Sequence, residues 1–252
     1  GLDYASHAIE QGALAILSDR RSERLEAPTL VVSNPRAELG RVASWFYGDP
    51  SRKVPIYGIT GTNGKTTTSY LLFQIWQACG VQAGLIGTVG MQVGKERFPA
   101  LYTTPEADEL HSTFATMVER GVRAIAMEVS SHALVQNRVS GVHFRAAGYT
   151  NLTQDHLDFH QTMENYYQAK RSLFQRELSE RAFITIDDEY GRRLVSEVVS
   201  QFENAPATLS SRSQDTDWRF ESISQLPNGF DLVIAGPENF KVAGRFLSLI
   251  HI

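Results

Sequence analysis

The stretch Gly58-Ile59-Thr60-Gly61-Thr62-Asn63-Gly64-Lys65-Thr66-Thr67 limits what this chain can fold into more than any other part of it. An apolar run from Val54 to Thr60 leads into it and reads as a buried strand. Behind it, Leu71, Leu72, Ile75, Trp76 and Cys79 fall on one helical stripe that stops at Gly80. A strand that enters a glycine-rich loop and leaves it as a helix is the unit from which parallel α/β sheets are built. The loop also carries chemistry. Its glycines let successive backbone N–H groups face phosphate oxygens, and the helix N-terminus adds partial positive charge. In such a loop Lys65 reaches the β- and γ-phosphates and the Thr66 hydroxyl ligates Mg²⁺, which predicts a nucleoside triphosphate site. The general spacing G-x-x-x-x-G-K-[ST] places its first glycine at position 59, where Ile59 stands.

The same alternation continues downstream. Gln82 to Val89 reads as a strand; Thr104 is expected to cap a helix with Pro105 at its first position, Leu110, Phe114, Met117 and Val118 facing inward and Gly121 ending it. Strands at Arg123 to Val129, Phe144 to Asn151 and Ala182 to Ile186 follow, with helices at about Met163 to Leu178 and Glu189 to Phe202. The predicted fold class is α/β, a mostly parallel sheet flanked by helices with a phosphate loop. Beyond Pro206 the pattern weakens to short strands, the clearest being Gly229 to Ala235. Before the loop, a helix around Tyr4 to Gly12, strands at Ala13 to Leu17 and Thr29 to Val32, and a helix from about Pro35 to Tyr47 precede the turn residues Gly48-Asp49-Pro50-Ser51. That is too little for an independent sheet, so residues 1–50 are expected to be the tail of a smaller α/β domain that begins upstream.

Composition excludes several classes. Of 252 residues, 21% are charged and 42% hydrophobic, which is ordinary for a soluble globular chain. A formal net charge of -4 argues against a general nucleic-acid binder, because no excess of Lys and Arg exists to neutralise phosphates. Cys79 is the single cysteine, so no internal disulfide can form; its place on the apolar stripe predicts a structural role. With no run of about 20 apolar residues and no signal-peptide pattern at the start, the expectation is a cytoplasmic protein with no membrane insertion.

Three further concentrations lie just after predicted strands. Glu128 ends an apolar strand, where a carboxylate can hold Mg²⁺ beside a phosphate loop or merely face solvent. Ser130, Ser131 and His132 follow it and read equally as a helix cap with a solvated histidine. In the segment from Thr150 to His160, Asp155, His156, Asp158 and His160 form either a metal cluster or the caps of the next helix. Lys170, on the helix after that, reads as an ordinary surface lysine.

Here a resemblance enters. Gly61-Thr62-Asn63-Gly64-Lys65-Thr66-Thr67 is similar to the phosphate loop of the Mur ligases and folylpolyglutamate synthetases, which accounts for the departure at Ile59. Thr103-Thr104-Pro105-Glu106, Met127 to Leu134, Gln136, Arg138 and Thr150 to Asp158 resemble the members of the Mur ligase family that add the third residue of the peptidoglycan stem peptide. The resemblance runs from the first residues to about Phe246. It implies that ATP and Mg²⁺ bind at Gly61, Thr62, Asn63, Gly64, Lys65, Thr66 and Thr67, with Thr66, Glu128 and His156 as metal ligands. It implies that Thr103, Thr104, Ser130, Gln136 and Arg138 hold UDP-N-acetylmuramoyl-dipeptide, Arg138 through a planar fork suited to anionic oxygens. Lys170 matches a lysine that the family carbamylates, which would make it a further metal ligand. Lys65, Glu128, His156 and Lys170 are then the catalytic set. The implied reaction is ATP-dependent amide formation through an acyl phosphate, adding meso-diaminopimelate or L-lysine. Catalysis would be mainly charge neutralisation and positioning.

The chain departs from the family pattern at Tyr102, where a polar residue often precedes the two threonines, and after Gly244-Arg245-Phe246, where Leu247 to Ile252 replace the expected continuation. The expectation is therefore a central ATP-binding domain over residues 51–252, incomplete at its end, without the carboxyl-terminal domain that binds the amino acid. The protein is expected to act as a monomer. The competing readings are another Mur or folylpolyglutamate-type ligase and a phosphate-loop regulatory module in which hydrolysis drives a conformational change.

Overall fold

The computed structural model describes residues 2–22, 25, 27–99, 101–227 and 229–247; of the departure from the family pattern at Leu247 to Ile252, residues 248–252 lie outside them. The first helix, α1 (Ala5–Glu10), leads to two short parallel strands, β1 (Ile16–Ser18) and β2 (Thr29–Val31). Asn34 then caps α2 (Pro35–Phe46): its side chain accepts from Ala37 N at 3.1 Å, with Pro35 at the first helical position. The expected turn is present, with Gly48 and Asp49 at positive φ, and runs into the short α3 (Pro50–Lys53).

The main sheet starts with β3 (Ile56–Thr60), followed by α4 (Lys65–Ala78), β4 (Ala83–Gly87), β5 (Gly90–Val93) and β6 (Glu96–Phe98). Next come α5 (Ala107–Glu119), β7 (Ala124–Glu128), α6 (Ser131–Val135), β8 (Ala146–Tyr149), α7 (Leu157–His160), α8 (Met163–Arg171), β9 (Ala182–Thr185) and α9 (Glu189–Val198). The chain closes with β10 (Ala207–Ser210), β11 (Trp218–Leu226), β12 (Gly229–Ala235) and β13 (Lys241–Leu247). The strand order is β13-β12-β11-β10-β9-β8-β3-β7-β4-β5-β6. From β11 to β4 every neighbour is parallel, and antiparallel strands finish both edges. This is the α/β architecture that the alternation predicts.

Right-handed crossovers decide where the helices lie. The step from β3 to β4 moves across the sheet in one direction, and the steps to β7, β8, β9 and β10 move in the other. So α4 covers one face while α5, α8 and α9 cover the opposite one. Burial alternates accordingly: Ile125 and Met127 join Leu110, Phe114, Phe144, Tyr167 and Leu194 in the large core, whereas Ala126 packs with Phe73, Ala83 and Leu85 beneath α4. Among the described residues no helix covers the α4 face beyond β3. A broad apolar hollow lies there, lined among others by Tyr57, Ile59, Ile75, Phe183, Leu209 and Trp218. Ile75 is 53% and Phe183 48% exposed as a result.

Four local expectations are corrected. Cys79 is exposed, because it falls just past the end of α4. Thr104 caps nothing: α5 begins at Ala107 with Glu106 in the capping position. The helix from Met163 ends at Arg171, with a single 3₁₀ turn after it, instead of reaching Leu178. The carboxyl-terminal strands are long, since β11, β12 and β13 form a continuous antiparallel meander. The strands β1 and β2 form a two-stranded sheet of their own, and α2 is the element that meets the rest of the chain. Ser44 Oγ donates to Gly141 O at 3.2 Å, and a Cβ at Gly40 would lie 2.4 Å from Ser140 O, so α2 is seated closely on the 140–141 turn. Among the described residues no helix is long and apolar enough to cross a membrane.

Candidate active site

The connections reverse direction at β3, and the loops after β3, β7 and β8 meet in a crevice at their carboxyl ends, where open α/β sheets bind ligands. The first of these loops is built to be rigid. Gly61 has φ +150°, and a Cβ there would sit 1.8 Å from Thr150 Oγ1, so glycine is required. Thr62 N donates to Asn151 O at 2.9 Å and Asn63 N to Asn151 Oδ1 at 3.0 Å. Thr150 Oγ1 and Asn151 Nδ2 both donate to Asn63 O, at 2.6 and 3.1 Å. The segment after β8 thus staples the loop after β3 at several points. Gly64, with φ +86°, precedes the first helical residue, Lys65, and Thr67 continues that turn.

Lys65 Nζ donates to the Gly61 and Thr62 carbonyls at 2.8 and 2.9 Å. Burial lowers its pKa, against the charges of Glu128 and Asp155. Thr66 Oγ1 donates to Glu128 Oε2 at 2.9 Å. Glu128 is buried, not a surface acid, and its carboxylate also accepts from Thr88 N at 2.8 Å and Thr88 Oγ1 at 3.2 Å. Thr104, fully buried, donates from Oγ1 to Glu128 O at 2.9 Å and accepts from Ser130 N at 3.1 Å. Ser130 takes the capping role, accepting from Ala133 N at 3.2 Å. Arg138 donates from Nη1 to Thr104 O at 3.0 Å.

The acidic and histidine cluster resolves differently from both expectations. Among the described residues no three His, Cys, Asp or Glu side chains converge on a metal position. Nor do those side chains cap: His156, at φ +51°, occupies the capping position of α7 without a side-chain bond. Asp155 and Asp158 are exposed. His160 turns inward, with Nε2 2.8 Å from Ser131 Oγ and its ring stacked on Tyr166 at 4.7 Å. Burial, aided by the His132 and Lys170 charges, pushes its pKa down to about 4. Lys170 is no surface lysine either. It is 1% exposed, donates to Gly61 O at 2.8 Å and lies 4.3 Å from the Tyr166 ring centre. Burial, then the neighbouring Lys65 charge, brings its pKa down to about 6.

These side chains surround one cavity of about 460 Å³, lined by Lys65, Thr66, Thr103, Thr104, Glu128, Ser130, Gln136, Arg138, His156 and Lys170 together with Thr88, Tyr102, Ser131, His132 and Tyr166. Of the sequence-derived groups, Lys65 and Thr66 from the loop after β3 and all five of the substrate set therefore face a common space, whereas Gly61, Thr62, Asn63, Gly64 and Thr67 do not line it. The Mur ligase middle domain, as a family model, matches residues 59–248. The chain belongs to the Mur ligase family.

A UDP-N-acetylmuramoyl-L-alanyl-D-glutamate–2,6-diaminopimelate ligase of Streptomyces coelicolor is 42% identical to this Mur ligase chain over 250 residues, which is 97% of the chain and 48% of the relative. A solved structure of a ligase with the same name superposes with a TM-score of 0.83 at 27% identity, covering 95% of this chain and 49% of the other. The MurF ligase of Thermotoga maritima, solved in complex with ADP, shares the fold at a TM-score of 0.59 and 17% identity, with 96% of this chain and 51% of that one covered. The chain spans about half the length of the curated relatives it matches.

Sequence reasoning missed several residues that this Mur ligase brings to the cavity. Thr88 follows β4 and holds Glu128, yet a threonine after a strand carries no distinctive local signal. Tyr166 donates or accepts across 3.2 Å to Thr62 Oγ1 and so ties α8 to the phosphate loop; its position four residues before Lys170, one helical turn away, was the available clue. Tyr102, left out of the substrate set, lies with its ring centre 4.6 Å from the Arg138 guanidinium.

Proposed function

We propose that this chain carries the nucleotide and muramyl-peptide sites of an ATP- and Mg²⁺-dependent ligase that joins 2,6-diaminopimelate to UDP-N-acetylmuramoyl-L-alanyl-D-glutamate. The observation that carries the reading is the shared cavity, which Lys65, Thr66 and Glu128 line together with Thr103, Ser130, Gln136 and Arg138. The names of the relatives supply the muramyl substrate and the amino acid. In this reading residues 1–50 belong to a UDP-substrate-binding domain and residues 51–252 to the central ATP-binding domain of a cytoplasmic, monomeric enzyme.

The donor set fits Mg²⁺. A hydroxyl and a carboxylate 2.9 Å apart are hard oxygen ligands, and Mg²⁺ needs only one or two protein groups when phosphates and waters complete its shell. The ion would supply charge neutralisation at the phosphates. Lys65 neutralises the β- and γ-phosphates, and the stapled loop holds its N–H groups in place before the nucleotide arrives. Thr103, Thr104, Ser130, Gln136 and Arg138 orient the muramyl dipeptide so that its D-glutamyl carboxylate meets the γ-phosphate. Attack of that carboxylate on the γ-phosphorus would expel ADP and form an acyl phosphate, from which the amine of the amino acid would displace inorganic phosphate, losing a proton as the amide forms. Lys170, whose burial favours an uncharged amine near neutral pH, has the chemistry that carbamylation requires; as a carbamate it would join His156 as a second metal position.

Calorimetry with a non-hydrolysable ATP analogue and Mg²⁺, with and without the UDP-muramoyl dipeptide, tests the reading on this chain and its Lys65→Ala variant. Binding that the variant loses and the dipeptide strengthens supports it. Nucleotide binding indifferent to the dipeptide favours a phosphate-loop regulatory module instead.

A further inference from the structure

Arg36 stands in the first turn of α2, where a cation opposes the positive end of the helix dipole, so helix stability does not account for it. Its contacts do. The guanidinium pairs with the Glu106 carboxylate and donates from Nε to Gln136 O at 2.8 Å, spanning 70 and 100 residues of sequence. The other Glu106 oxygen, Oε1, lies 3.0 Å from Arg138 Nε. One carboxylate is thereby ion-paired with two guanidiniums, that of Arg138 by proximity without a hydrogen bond from Nε. The Arg138 side chain is only 11% exposed and lines the cavity, whereas that of Arg36 is 52% exposed and stands outside it.

We propose that Arg36 is a positioning residue for the muramyl-peptide site: it neutralises and orients Glu106, so that Glu106 can fix Arg138 without repelling an anionic ligand. The inference rests on the proposed function, in which Arg138 meets the anionic UDP-muramoyl dipeptide. Without Arg36, the Glu106 carboxylate keeps Arg138 as its one remaining ion-pair partner among the described residues, and substrate oxygens must compete with it for the same guanidinium.

The test is a neutralisation pair, Arg36→Gln alone and with Glu106→Gln, each titrated calorimetrically with UDP-N-acetylmuramoyl-L-alanyl-D-glutamate in the presence of Mg²⁺ and the ATP analogue. At an ionic strength of about 50 mM the single variant is expected to bind the dipeptide about fivefold more weakly, with a smaller loss at about 300 mM, because the repulsion is screened. The double variant is expected to recover most of the loss. Affinity for the ATP analogue and the melting temperature stay near wild type throughout. Wild-type affinity in Arg36→Gln, or a double variant as weak as the single one, overturns the proposal. A wild-type chain that binds the nucleotide but never the dipeptide refutes the functional reading beneath it, and the proposal with it.

Discussion

Gly87 is the space into which the Glu128 carboxylate fits: a Cβ at position 87 would lie 2.1 Å from Oε1 and 2.8 Å from Cδ. The last residue of β4 thereby fixes where a buried acid at the end of β7 can point. Gly87→Ala forces that carboxylate away from Thr66 and Thr88. The expected outcome is a loss of about tenfold, near 1.4 kcal/mol, in affinity for the ATP analogue with Mg²⁺, and little change without the metal. Paired calorimetric titrations check it; equal losses with and without Mg²⁺ would count against a metal role for Glu128.

Thr104 joins two loops through one hydroxyl, donating to Glu128 O and accepting from Ser130 N. Thr104→Val keeps the shape and leaves both partners without their bond. Urea unfolding should show a loss of about 1–3 kcal/mol, the cost of unsatisfied buried groups. A loss below about 0.5 kcal/mol would mean that water replaces the hydroxyl.

Gln161 sits at φ +67° and ψ -40°, closing a tight turn in which Thr162 N donates to His160 O at 2.8 Å. Such backbone costs a side chain of this kind about 1–3 kcal/mol, and glycine avoids it at an entropic cost of about 0.5–1 kcal/mol. Gln161→Gly is therefore expected to stabilise the protein by about 1 kcal/mol, read from the shift in denaturant midpoint. No gain would show that the turn is relaxed in solution.

Lys170 makes stability depend on pH. Burial and the Lys65 charge lower its pKa from 10.5 to about 6, so between those values the unfolded chain holds the proton that the folded chain has released, and stability rises with pH across the window. Below about pH 6 the folded protein carries the buried charge at full cost. Lys170→Met is expected to raise the melting temperature, most at about pH 5 and progressively less toward about pH 9. A difference that is constant between those pH values, or that widens, would contradict the shift.

What could be read in advance was whatever local pattern dictates. The strand, loop and helix around Gly61 to Lys65 announce themselves because turn chemistry and periodicity coincide there, and the alternation through β9 and α9 follows from the same periodicity. Thr104 misled because a threonine before proline looks like a cap, whereas its partners, Glu128 O and Ser130 N, lie 24 and 26 residues away. Ile75 misled because an apolar stripe does not reveal how much of it finds a cover, and Cys79 because the helix stops one residue before it. His160 reads as a metal ligand or a cap, and Lys170 as a surface lysine, because the local sequence does not show that the fold buries them against Ser131, Tyr166 and Gly61. Arg36 carries no local signal, since its meaning comes from Glu106 and Gln136.

The uncovered sheet face beyond α4 has a practical consequence for anyone preparing this polypeptide. Phe183, Leu209 and Trp218 form a greasy shelf of the kind that draws molecules together, so the 252-residue chain is expected to self-associate as its concentration rises.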